Sequence, residues 1–140
     1  LPRIKRPTTR HSEWDGAPVD VLVVDSIGLL STLYRYGRVA YIGGGFGKGI
    51  HNTLEPAAFG LPIIFGPKYE KFEEARQFVA RGGAFPVRDT AELIAVLKKL
   101  EDPDVYEKAR AAVTGYLEES RGATGKVLGF LEGIKRAFKI

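Results

Sequence analysis

Cysteine and methionine are absent from these 140 residues, and tryptophan occurs once. Without cysteine there is neither a disulfide framework nor a thiolate zinc site, which suits a reducing compartment. No metal and no cofactor are expected. No apolar run approaches the ~20 residues that span a bilayer, and the N-terminus lacks the shape of a signal peptide, so the chain is expected to be soluble. Internal repeats and low-complexity tracts are also missing. The basic residues are dispersed, with no aromatic interleaving, which argues against a nucleic-acid partner. The chain starts at Leu1 rather than at methionine and runs into Arg3, Lys5, Arg6 and Arg10, as a piece of a longer protein would.

What is present fits one domain with a sizeable core: 44% of the residues are hydrophobic, and the length is short for two ordinary domains. A net charge of +4 and a pI of about 9.4 favour anionic partners such as nucleotides, phosphates or anionic lipid heads.

Short β-branched apolar runs alternate with helical spacing. Val19–Val24, Val39–Ile42, Pro62–Phe65 and Ala84–Val87 read as strands. The absence of polar alternation within them predicts parallel strands covered on both faces. Residues 1–18, interrupted by Pro2, Pro7 and Pro18, read as an edge or linker with a short extended piece near Thr8–Ser12. Helices are predicted over Leu29–Tyr36, from Pro56 to near Gly60, over Tyr69–Arg81, from an Asp89 or Thr90 cap to Leu100, from Asp102 or Pro103 to about Ser120, and over Thr124–Phe138. The pattern is that of an α/β fold, a three-layer Rossmann-like parallel sheet with helices on both faces.

Most of the chemistry lies in Val39–Pro67. The loop Gly43–Gly49 holds five glycines and follows a strand, the place where open parallel sheets bind ligands. Glycines there allow positive φ and close approach of backbone N–H groups to an anion, and a helix N-terminus adds partial positive charge. The dinucleotide fingerprint G-x-G-x-x-G fails in both registers, ending on Lys48 or Ile50. The Walker A pattern fails because Gly49 follows Gly47-Lys48.

Asn52 and Glu55 have the spacing of a capping box, which would make them a self-satisfied helix start. With Pro56 as the first helical residue, both side chains would instead be free to face a ligand, and Glu55 could accept from paired sugar hydroxyls. His51 and Lys48 beside the loop are further candidates, each with a solvated alternative. Gly66, Pro67 and Lys68 would border the same crevice, or form an ordinary turn. Asp25, Ser26 and Gly28 end an earlier strand, so Ser26 is either a site residue or part of a turn.

Taken together, Gly43, Gly44, Gly49, His51, Asn52, Leu54, Glu55, Pro56, Gly60, Pro62, Gly66 and Pro67 resemble the signature of 3-deoxy-D-manno-octulosonic acid (Kdo) transferases. That signature is roughly G-G-S-x-x-x-x-G-G-H-N-x-L-E-P, followed by a G-x-P strand and a G-P turn. Asp25-Ser26-Ile27-Gly28-Leu29-Leu30 is similar to the family's D-T-M-G-E-L, and the resemblance extends to about Leu100. Gly45 stands where many members have Ser or Thr, and Ile50 where many have a second Gly.

The resemblance implies the C-terminal half of a GT-B glycosyltransferase, whose donor is CMP-Kdo and whose acceptor is a lipid A precursor. It further implies a general-base carboxylate in the other half, and a place at the cytoplasmic face of the bacterial inner membrane. The implied donor-binding set is Gly43, Gly44, Gly45, Lys48, Gly49, His51, Asn52 and Glu55, with Ser26, Gly28 and Lys68 in addition. Lys126, Lys135, Arg136 and Lys139 on the last helix are expected either at a solvated face or against anionic lipid. Two strands of this half would fall between Val19–Val24 and Val39–Ile42, so those two are expected to share no neighbour. Rival readings are another GT-B nucleotide-sugar transferase, an epimerase of similar architecture, or a non-catalytic nucleotide-binding module.

Overall fold

The computed structural model describes residues 5–138, with side chains to residue 122. Lys126, Lys135 and Arg136 lie in its helical backbone, but their side chains, and Lys139 altogether, fall outside the described residues. The chain divides into two compact units, Leu1–Tyr36 and Gly37–Ile140.

In the first unit, β1 (Thr8–Arg10) pairs in parallel with β2 (Val21–Val23), Thr8 opposite Val21. Part of the segment expected to be edge or linker is therefore a strand. No described residue of this unit is buried. Val21–Val23 is only half-covered, contrary to the expectation of a strand sealed on both faces, because its sheet has just two strands. Beyond them, α1 (Leu30–Leu33) passes into a single 3-10 turn, Tyr34–Tyr36. The strand ends are tied by Asp25, which accepts from the Ser12 amide at 3.1 Å and from the Ser12 hydroxyl at 2.6 Å.

The second unit holds a three-stranded parallel sheet in the order β3 (Ala40–Ile42), β4 (Ile63–Phe65), β5 (Ala84–Pro86). Strands β2 and β3 thus lie in separate sheets. Helix α2 (Leu54–Ala58) connects β3 to β4, and α3 (Glu73–Ala80) connects β4 to β5. Two helices follow, α4 (Thr90–Lys99) and α5 (Pro103–Phe138). These parallel strands with helical crossovers make the α/β fold that the hydrophobic pattern implied.

Ile63, Ile64 and Phe65 are all fully buried. Successive side chains of a strand point to opposite faces, so β4 is covered on both. Ile64 packs with Val87, Leu100 and Ala109, flanked by Leu93, Val96, Val105 and Tyr106 from α4 and α5. Burial of Ile64, Val87 and Leu100 contributes roughly 1.5–3 kcal/mol for each of the three side chains. Phe78 of α3 meets Tyr116 of α5 edge to face, with ring centroids 5.1 Å apart. Strand β3 differs from the expectation, for it alternates: Ala40 and Ile42 are buried while Tyr41 is exposed. It is the outer strand of its sheet, with one face open.

Three helix boundaries depart from the sequence reading. Helix α2 starts at Leu54, not Pro56. A proline is tolerated anywhere in a first turn, since those N–H groups have no intrahelical acceptor. Helix α3 starts at Glu73, not Tyr69, because Tyr69 turns onto the Phe65 ring, 5.1 Å between centroids. Helix α5 runs unbroken where two helices were expected. Gly122 and Gly125 weaken it by about 1 kcal/mol each, but no proline interrupts its ladder.

Candidate functional site

At the carboxyl end of β3 the chain enters a loop held mainly by its own carbonyls. Gly44 O accepts from the amides of Gly47 at 2.9 Å and Gly49 at 3.3 Å, and Gly43 O accepts from that of His51 at 3.1 Å. The amides of Gly47, Gly49 and His51 are therefore engaged within the loop rather than turned to a ligand. Gly44 is required here: its φ is +90°, and a Cβ would stand 2.2 Å from Gly49 O. The His51 ring packs over the same turn, its Cδ2 3.3 Å from that Cβ position.

At the carboxyl end of the neighbouring β4, residues 66–72 form the opposing wall. The Lys68 amide donates to Gly45 O at 2.9 Å, and the Phe72 ring closes on Gly49. Gly45 and Gly66 approach so closely that neither has room for a side chain. A side chain at position 45 is excluded in this chain because the backbone of Gly66 occupies the space. Between the two walls lies a crevice of about 730 Å³, lined by Gly47, Lys48, Pro67, Lys68, Glu70 and Lys71. Three lysines against one glutamate give it a net positive charge.

Asn52 and Glu55 are not free of each other. Asn52 Nδ2 donates to Glu55 Oε1 at 3.0 Å, and Asn52 Oδ1 accepts from the Leu54 amide at 2.9 Å. Asn52 thus caps the first amide of α2 while Glu55 holds the Asn52 side chain rather than its backbone amide, so no reciprocal capping box forms, and the reading that frees both through a start at Pro56 is corrected. Both remain exposed beside His51. The formal N-cap, Thr53, contributes no side-chain bond; it is fully buried and its hydroxyl has no partner among the described residues.

Ser26 and Gly28 belong to the first unit. Ser26 Oγ lies 3.5 Å from His11 Nδ1, and Gly28 has a φ of +91° with open space around it. The fold thus assembles Gly43, Gly44, Gly45, Lys48, Gly49, His51, Asn52, Glu55 and Lys68 on one loop system within the second unit. Lys71 is not legible as a site residue in the sequence, because the helical spacing extends back to Tyr69 and puts it inside a helix that in fact starts at Glu73. The signal that could have found it is the G-P turn itself, which delays the helix. Among the described residues no cluster of three His, Asp or Glu could hold a metal ion.

No protein-family model matches the chain. A curated relative, "3-deoxy-D-manno-octulosonic acid transferase" of Aquifex aeolicus, is 39% identical over 108 residues, covering 73% of this chain and 31% of the relative. The protein of the same name from Haemophilus influenzae is 34% identical over 133 residues, covering 92% of this chain and 30% of the relative. The chain therefore spans about a third of the length of these relatives. Among solved structures, the C-terminal CMP-Kdo binding domain of WaaA from Acinetobacter baumannii superposes with a TM-score of 0.71 at 27% identity, covering 80% of this chain and 61% of that one. The chain belongs to the 3-deoxy-D-manno-octulosonic acid transferase family, as part of its C-terminal domain.

Proposed function

We propose that this chain holds the donor in a glycosyltransferase that moves Kdo from CMP-Kdo to a lipid A precursor. The observation that carries the reading is the crevice at the carboxyl ends of β3 and β4, in a chain similar to a solved CMP-Kdo binding domain. In the transfer, an acceptor hydroxyl forms a new C–O bond at the anomeric carbon. The bond to the CMP phosphate oxygen breaks, and the electron pair leaves on that oxygen. Lys48 and Lys68, beside the Gly43–Gly49 loop, stabilise the charge that develops there. His51, Asn52 and the exposed Glu55 fix the nucleoside ribose or its neighbours. The proton of the acceptor goes to a carboxylate supplied by the rest of the transferase.

On this reading the 140 residues bind donor and transfer nothing by themselves. The enzyme works peripherally at the cytoplasmic face of the inner membrane, where its lipid acceptor lies. Sedimentation with anionic liposomes at low and high salt tests the membrane contact.

Titration with CMP, followed by the amide signals of residues 43–55, tests the donor site. Saturable shifts there are expected, with CMP preferred to UMP and GMP. Unmoved signals would remove the assignment. Glu55→Gln keeps the acceptor for Asn52 while removing the charge, and it is expected to weaken CMP about tenfold with the fold intact.

A further inference from the structure

The charge that meets the donor has to come from somewhere other than the α2 terminus. Helix α2 has five residues, its first amide is already bonded to Asn52, and three loop amides are bonded to loop carbonyls. So short a run of aligned peptides supplies little dipole. The positive charge beside the loop sits instead on Lys48, Lys68 and Lys71, which line one crevice built by two interlocked turns.

We propose that Lys48, Lys68 and Lys71 form a subsite for an oxyanion of the ligand, with Lys71, on the turn before α3, as a further specificity residue. This rests on the donor-site reading above. The donor offers two oxyanions, the nucleotide phosphate and the carboxylate of the transferred sugar acid, and the lysines suit either. An ammonium is a point charge that follows an anion without demanding fixed bidentate geometry. Glu70, on the same wall, opposes a second negative group and confines the anion to the lysine side.

Several features favour a ligand pocket over a merely solvated basic face. Its walls are joined by the Lys68–Gly45 hydrogen bond and by the Gly45–Gly66 and Gly49–Phe72 contacts, so its shape exists before any ligand arrives. It also lies at the strand ends where parallel sheets place ligands, and its volume suits a nucleotide-sized molecule.

The test uses the full chain and its Lys71→Ala and Lys68→Ala/Lys71→Ala variants, titrated at low salt with CMP, free Kdo and cytidine. Amide shifts of residues 43–49 and 66–71 are the readout. Both substituted side chains lie at the surface of a turn, and unchanged thermal melts verify that the variants fold. Expected are a loss of about fivefold per lysine for the anion bound there, no change for cytidine, and weaker binding of that anion as salt rises. The ligand that loses more, CMP or free Kdo, identifies phosphate or carboxylate as the occupant. If wild type and variants bind CMP and free Kdo equally, the lysine subsite is overturned while the donor reading stands. If neither ligand moves the wild-type amides, both fall.

Discussion

Gly45 and Gly66 meet backbone to backbone. A Cβ on Gly45 would stand 2.5 Å from the Gly66 nitrogen, and one on Gly66 would stand 2.6 Å from the Gly45 carbonyl carbon. The loop after β3 and the turn after β4 are thereby pressed together, and the crevice opens beside the contact.

Gly45→Ala is expected to cost about 2 kcal/mol of stability or more, because the added methyl meets rigid backbone rather than a side chain that can swing away. Donor affinity falls with it as the walls separate. Gly47→Ala in the same loop is the control: its Cβ would lie 3.6 Å from Gly44 O, an ordinary contact. Urea denaturation of the two variants tests the contrast, and equal losses would contradict it.

Thr53→Val is expected to leave stability unchanged or raise it by about 1 kcal/mol. The fully buried Thr53 hydroxyl has no partner among the described residues, and removing an unmet polar group relieves its desolvation cost. The substitution preserves volume, so no cavity enters the comparison. Thermal melts read the result; a clear loss would mean that the hydroxyl has an acceptor.

Asp89→Ala is expected to cost about 1 kcal/mol, since Asp89 is the N-cap of α4 and accepts from the Glu92 amide at 2.8 Å. Asp89→Asn should recover most of the loss. Helicity and denaturation midpoints of the pair check whether the cap or the charge matters.

The pH response of the first unit has a definite sign. Hydrogen bonds from the Ser12 hydroxyl and amide hold the Asp25 carboxyl below its ordinary value of 3.8. A depressed folded value means that the tie is fully in place above pH 3.8 and is lost as pH falls through the lower folded value. The Ser12 amide signal should therefore titrate with a midpoint below 3.8, and the transition should vanish in Asp25→Asn. A midpoint at or above the ordinary value would refute the tie.

The strands Val39–Ile42, Pro62–Phe65 and Ala84–Val87 were legible because continuous apolar runs leave few alternatives, and the loop was legible from its glycines and its place after a strand. Other features depend on contacts that no local pattern encodes. Tyr41 reads as core in a run of apolar letters, yet β3 is an outer strand and its alternate face is open. Pro56 suggested the first helical position, but the Asn52 side chain caps the turn at Leu54 and moves the start. The α3 boundary and the place of Lys71 on the crevice wall follow from Tyr69 packing on Phe65, a contact that no helical periodicity foresees. The need for glycine at position 45 comes from the approach of Gly66, a contact between residues 21 positions apart that no local pattern shows.

The crevice separates two jobs between two kinds of atoms. Its shape is set by main chain against main chain, and its charge is carried by lysine side chains on the walls. Exchanging those lysines should retune which anions are admitted without reopening the question of whether the domain folds. Surface substitutions at Lys48, Lys68 and Lys71 therefore alter the charge of the crevice on a frame that stays the same.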